Sequence, residues 1–160
     1  MEIIKDRRPP TGLGRLLFRL PIHLYRLGLG WLLGDRFLLL THVGRVSGRT
    51  RRTVIEVIEH DPRAGDYVVC SGYGPRADWY RNVLTTPEVT IQVGRHVLPA
   101  TAVPLGEEEG GETMARYARH HPWTARRLVR VLGFAVDGSP EDYRAVGRHL
   151  PFVRLRPRQT

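Results

Sequence analysis

The chain has 160 residues, enough for one domain with a single core, since folding at this size buries roughly 70% of the unfolded chain's surface. Its formal net charge is +9, and Lys5 is the only lysine among its 25 basic residues, so an anionic partner is expected: nucleic acid, an anionic membrane or an acidic cofactor. The lone cysteine, Cys70, excludes an internal disulfide and fits a reducing cytoplasm; with no C-x-x-C or H-x-x-x-H, and His120 and His121 merely adjacent, no metal site is expected.

Residues 1–11 are charged and carry Pro9 and Pro10, the pattern of a mobile tail. Residues 12–34 are the most apolar part of the chain. Arg15, Arg19, His23 and Arg26 recur there at helical spacing, with leucines from Leu13 to Leu27 and Trp31 on the other side. The longest apolar run, residues 27–33, is far below the ~20 residues that span a bilayer. Charge and Pro21 also break the pattern of a signal peptide. The segment therefore reads as an amphipathic helix, either lying peripherally on the inner face of an anionic membrane or packing its leucines on the sheet.

From residue 37 the pattern turns to β. An apolar strand at 37–40 runs into Thr41-His42-Val43-Gly44-Arg45-Val46-Ser47-Gly48-Arg49-Thr50-Arg51-Arg52-Thr53, and a β-branched strand, 53–60, leaves it. Glycine lets a backbone approach a ligand, serine adds a hydroxyl, and arginine presents a planar fork that matches phosphate or carboxylate oxygens. The loop thus has the composition of an anion cradle, although a solvated basic hairpin loop has the same composition. It is not a Walker loop, being one residue short with Arg49 in place of lysine, and the chain contains no G-x-G-x-x-G or nucleophile elbow.

A turn at 61–66 leads to a strand at 67–71 and then to a loop, Ser71-Gly72-Tyr73-Gly74. Asp78 is placed to cap a short helix, 79–84, ended by Pro87. Backbone donors at glycines, two neighbouring aromatics, Trp79 and Tyr80, and the amide of Asn82 suit a flat polar heterocycle. Alternating Val89, Ile91 and Val93 and a return at 96–104 make a hairpin about Gly94-Arg95. Helices are expected over 107–121 and 123–132, then a third capped by Ser139, with Pro140 in its first turn and Asp142 reaching back. Residues 152–155 form a last strand. The expected class is α+β, a small mainly antiparallel barrel with flanking helices.

Taken together, Leu40-Thr41-x-x-Gly44-Arg45-x-Ser47-Gly48-x-x-Arg51, Ser71-x-x-Gly74, Trp79-Tyr80-x-Asn82 and Pro87-x-Val89-x-Ile91-x-Val93 resemble the deazaflavin-dependent nitroreductase and quinone reductase family of split β-barrel proteins. The resemblance covers about residues 37–103. It implies an oxidoreductase that binds coenzyme F420, a deazaflavin with a phospholactyl polyglutamate tail, and passes a hydride to a quinone-like or nitroaromatic acceptor. By resemblance, Arg45, Val46, Ser47, Gly48 and Arg51 hold the phosphate and tail, and Arg52, Thr53, Val54 and Ile55 run alongside. Cys70, Ser71 and Gly72 lie near the ring, and Asp78, Trp79, Tyr80 and Asn82 complete its wall.

Ser71 and Tyr80 are the candidates to stabilise developing oxyanion character, and Glu56 and Tyr117, with Tyr143, the candidates to meet the acceptor. Val46 stands where many members have lysine. FMN is the alternative cofactor, because it too carries a phosphate. A non-catalytic protein binding a membrane surface or another anionic ligand is the remaining alternative. A nucleic-acid partner is disfavoured by the lack of a recognition motif.

Overall fold

The computed structural model describes residues 1–3 and 34–158, so the proposed amphipathic helix and most of the tail lie outside the described residues. The elements are strands β1 (Glu2–Ile3), β2 (Phe37–Val43), β3 (Thr50–His60) and β4 (Tyr67–Cys70), a 3-10 turn (Gly74–Arg76) and helix α1 (Asp78–Thr85). They continue with β5 (Glu88–Val93), β6 (His96–Pro104), α2 (Glu107–His120), α3 (Pro122–Val131), β7 (Phe134–Ala135), α4 (Pro140–His149) and β8 (Phe152–Pro157).

Six strands close into a barrel in the order β2-β3-β4-β8-β6-β5, with every neighbouring pair antiparallel. The last strand makes the closure: β8 lies between β4 and β6, joining two hairpins far apart in sequence. The α+β barrel expected from the pattern is the observed fold.

Period-two alternation fills the barrel. Leu38 and Leu40, Val89, Ile91 and Val93, and Val153 and Leu155 point inward and pack with Ile55 and Val69. A second core lies outside the barrel wall, where Ile58, Val68 and Phe152 meet Met114, Val129 and Val146 of the helices. Strand β4 is therefore apolar on both faces, Val69 inward and Val68 outward, which is why its sequence shows no alternation.

Helices α2 and α4 cross closely because glycines face each other. A Cβ at Gly147 would lie 2.7 Å from Gly111 Cα and 2.8 Å from Met114 Cβ, contacts that only a backbone shift can relieve. Gly147→Ala should therefore lower stability by about 1–3 kcal/mol as an overpacking change, read as a lower urea midpoint with an unchanged slope. An unchanged midpoint would show that the crossing tolerates a methyl group.

Four expectations are corrected. The hairpin strands extend further than predicted, to Val43 and from Thr50, since Val43↔Thr50, His42↔Arg51 and Thr41↔Arg52 pair; Arg51 and Arg52 thus belong to β3 and the loop shrinks to residues 44–49. Asp78 is the first residue of α1 and does not cap it: Ala77 holds the cap position without a side-chain bond, and the Asp78 carboxylate faces Arg45. Ser139 does cap α4, accepting from the Asp142 N–H, but the Asp142 carboxylate accepts from Asp137 N–H, while the Ser139 N–H donates to Asp137 Oδ1. The first residues, expected in a mobile tail, include β1, which pairs with β7, a strand too short to be seen in the pattern.

Candidate functional site

The arginine loop is fixed to the helix that covers one end of the barrel. Gly44 N–H donates to the Arg49 carbonyl at 2.8 Å, Gly48 N–H to the Gly44 carbonyl at 2.8 Å, and Arg49 N–H to Ser47 Oγ at 3.1 Å. Gly48 takes φ +68°, a left-handed conformation that glycine adopts without strain. Asn82 of α1 then clasps the loop. Its Oδ1 accepts from Arg45 N–H at 3.0 Å and from Arg45 Nη1 at 2.8 Å, while Arg45 Nη2 donates to Asp78 Oδ1 at 3.2 Å.

His42 completes the clasp and was not singled out in the sequence. It follows Leu38 and Leu40 on the inward face of β2, at the end of the barrel interior, and is buried. With Asn82 Oδ1 facing two arginine donors, Nδ2 must face His42, so His42 Nδ1 accepts at 3.1 Å and its proton sits on Nε2. Burial, and then the positive charge of Arg51, lower its pKa to about 4.

A folded-state pKa below the unfolded value means that the unfolded chain binds the proton first as pH falls. His42 should therefore cost nothing above its unfolded pKa near 6.5 and destabilise the fold progressively as pH falls toward about 4. The expected loss is of order 2–3 kcal/mol. The check is the unfolding free energy of wild type against His42→Gln between these limits, where the variant should show the shallower slope; parallel slopes would dismiss His42 as the titrating group.

Alternation distributes the remaining candidates over two faces of β3. Arg51, Thr53 and Ile55 share the inward side, with Ile55 in the barrel core, whereas Arg52, Val54 and Glu56 share the outer side. Trp79 and Tyr80 meet edge to face at 6.0 Å and pack against the barrel core from α1. Val46 is 93% exposed at the loop tip. Cys70 ends β4 half-buried against the outer core.

Ser71 is fully buried. Its hydroxyl donates to the Gly74 carbonyl at 2.6 Å and its N–H to the Pro151 carbonyl at 2.9 Å, so both donors hold the loop in shape. Gly72 is approached by Leu132, whose Cδ2 would lie 2.5 Å from a Cβ there. Tyr80 makes no hydrogen bond to another described residue through its hydroxyl, which leaves it the more available of the two donors named from the sequence.

The two acceptor candidates, 61 positions apart, come together. Tyr117 of α2 donates its hydroxyl to Glu56 Oε1 at 3.4 Å, and Arg36 Nη2 lies 3.9 Å from the same oxygen. Burial raises the Glu56 pKa against the opposing pull of Arg36 and Tyr117. Burial, then the Glu56 carboxylate, pushes Tyr117 up to about 12, so its hydroxyl stays protonated at neutral pH. Tyr143, by contrast, is buried in the helical core.

The donor set suits a polyanion. Arg49, Arg51 and Arg52 are exposed and have no carboxylate partner among the described residues, whereas Arg116, Arg144, Arg148 and Arg154 are each paired with glutamate. Arg45 has committed one donor to Asn82 and one to Asp78 and keeps three N–H groups. An open groove of about 930 Å³ lies elsewhere, between α3 and β7, and none of its described lining residues belongs to these loops. Among the described residues no helix is long and apolar enough to cross a membrane, and no cluster of metal-ligating side chains occurs.

Comparison with known proteins gives a consistent placement. The family model described as F420H(2)-dependent quinone reductase matches residues 23–132, more than half of the chain. Among solved structures, an F420-H2 dependent reductase, FDR-A, is similar at 23% identity over 76% of this chain and 95% of its own, with a TM-score of 0.51. A structure described as a domain-swapped dimer is similar at 22% identity over 84% and 98%, TM-score 0.51. HutZ, the heme storage protein of Vibrio cholerae, is similar at 14% identity over 81% and 87%, TM-score 0.54. At these identities the structural likeness establishes the barrel fold alone.

Proposed function

The chain belongs to the F420H(2)-dependent quinone reductase family, and from that premise we propose that its acceptor is a quinone-like or nitroaromatic compound received beside Glu56 and Tyr117. Coenzyme F420 is its cofactor and it is an oxidoreductase. The observation that carries the proposal is the order of side chains on the outer face of β3: Arg52 near the loop, then apolar Val54, then Glu56 bonded to Tyr117. Four residues of strand separate the charged end from the polar end by roughly 13 Å, a span suited to a ligand with an anionic tail and a flat head.

Reduced F420 supplies the hydride. Arg49, with Arg51 or Arg52 according to the face of β3 that the tail follows, would hold the negative tail, and Arg45 is held in place by Asn82 and Asp78. Trp79 and Tyr80 offer an aromatic wall, and Tyr80 a hydroxyl donor. Tyr117 keeps its proton, which rests on Glu56; turned from Glu56 toward a bound acceptor, the same O–H can donate to an oxygen as it gains negative charge.

The test has two stages. Oxidised F420 is titrated into the protein by fluorescence at low and high salt, with FMN in parallel; saturable, salt-weakened binding of F420 over FMN supports the cofactor site, and preference for FMN overturns it. Quinone and nitroaromatic acceptors are then compared in the wild type and in Glu56→Gln and Tyr117→Phe. The variants should lower kcat with an acceptor by about 10–100-fold while leaving F420 affinity unchanged. Equal turnover in all three proteins would remove Glu56 and Tyr117 from the acceptor site.

A further inference from the structure

Helix α3 turns an unusual face outward. Trp123 is 89% exposed, and Arg126, Arg127 and Arg130 are exposed around it, with Val131 at the margin 67% exposed. At 100° per residue, positions 123, 126, 127 and 130 fall in one stripe, opposite the buried Ala125 and Val129 that anchor the helix in the outer core. A large aromatic left in water on a well-anchored helix has no packing explanation within the described residues.

Charge sets this face apart from the rest of the helical layer. Neighbouring α2 and α4 neutralise each other through Arg144 with Glu112 and Arg148 with Glu108. Helix α3 contains no acidic residue, and none of its three arginines has a carboxylate partner among the described residues. Arg119, exposed in the last turn of α2, adds to the same basic end of the molecule. The stripe itself forms one side of the groove of about 930 Å³, and Phe134, Ala135 and Val136 line the other.

We propose that the Trp123, Arg126, Arg127 and Arg130 face of α3 docks the protein on an anionic lipid bilayer. Arginines and a tryptophan on one stripe match the two layers of a membrane surface: guanidinium groups meet the headgroup phosphates while the indole sits at the boundary with the acyl chains. The sequence of residues 4–33 offers six basic side chains, Lys5, Arg7, Arg8, Arg15, Arg19 and Arg26, and one carboxylate, Asp6, so its charge does not complement three arginines. A nucleic acid is also a poor match. From Trp123 to Arg130 the stripe runs only about 10 Å along the helix, with a single aromatic and no groove-reading element.

The inference is independent of which acceptor the enzyme reduces. Its test is co-sedimentation of the full chain with vesicles of phosphatidylglycerol mixed with phosphatidylcholine, against phosphatidylcholine alone, at low and high salt. The wild type should bind the anionic vesicles, lose them at high salt and ignore the neutral ones. Arg126→Glu, Arg127→Glu and Arg130→Glu combined should weaken binding roughly 100-fold, and Trp123→Ala alone about tenfold. If the triple variant does not fold, Trp123→Ala and the single Arg127→Gln carry the test, each with circular dichroism to show a native fold.

Retention of vesicle binding by folded variants, equal binding to neutral vesicles, or no binding by the wild type overturns the proposal. So does a stripe whose loss abolishes binding to an oligonucleotide, or changes the oligomeric state by sedimentation, and leaves the vesicles bound.

Discussion

Arg45→Ala combined with Arg51→Ala is expected to raise the dissociation constant for oxidised coenzyme F420 by about 100-fold or more, with the barrel still folded. The magnitude follows from charge-assisted hydrogen bonds at roughly 1.5–3 kcal/mol each, taken at the low end because both arginines border solvent. The two losses differ in kind. Arg51, exposed and without a carboxylate partner among the described residues, would on the proposed site act by direct contact, so its loss should also reduce the salt dependence of binding. Arg45 acts partly through shape, since two of its donors tie the loop to α1.

Arg52→Ala is the informative companion. Alternation along β3 turns Arg52 to the face opposite Arg51, so the larger single effect identifies the face along which the tail runs. A double variant with wild-type affinity would remove the arginine cradle from the cofactor site.

The second large effect is expected at Asn82. Asn82→Ala should lower stability by about 2–4 kcal/mol, because the side chain is 4% exposed and its loss strands the Arg45 N–H and the His42 ring nitrogen without their partner. For a chain of this size that is a fall in Tm of roughly 5–15 °C. F420 affinity should fall with it, as the released loop must be ordered on binding.

Asn82→Asp separates the two roles. An aspartate keeps an oxygen for Arg45 but places a negative charge against His42, which should raise the His42 pKa from about 4. The acid destabilisation expected of the wild type should then weaken, while the loop stays clasped. Resolved imidazole resonances followed by NMR against pH read this directly; a His42 that titrates identically in both proteins would refute the contact.

Much of the barrel was legible locally. Phe37 to Leu40, the alternation of Val89, Ile91 and Val93 and the Gly94 turn announce strands and a hairpin because strand period and turn chemistry are properties of neighbours in sequence. Ser139 and Pro140 announced a helix start for the same reason. Asp78 shows the limit of such reasoning. A carboxylate before a helix serves equally as a cap or as an ion-pair partner, and Arg45, 33 positions away, decided between them.

Ser71 and Asn82 show the same limit at the site. Residue type named them as polar groups for a ligand, yet Ser71 directs its proton to Gly74 and Asn82 spends its amide on Arg45 and His42. Buried polar groups need partners, and a nearby backbone or side chain meets that need before any ligand does.

By itself the sequence determined the chain's basic charge, the six barrel strands and the main helices, and the clustering of arginines with two glycines and a serine in one loop. The tertiary structure decided that Arg51 and Arg52 face opposite ways, that Glu56 meets Tyr117 across 61 positions, and that His42 is held neutral at the barrel's end. The division has a physical cause. Propensity and charge act between neighbours, but burial and hydrogen-bond partnership depend on barrel closure by β8, which brings distant strands together only once the whole core has formed.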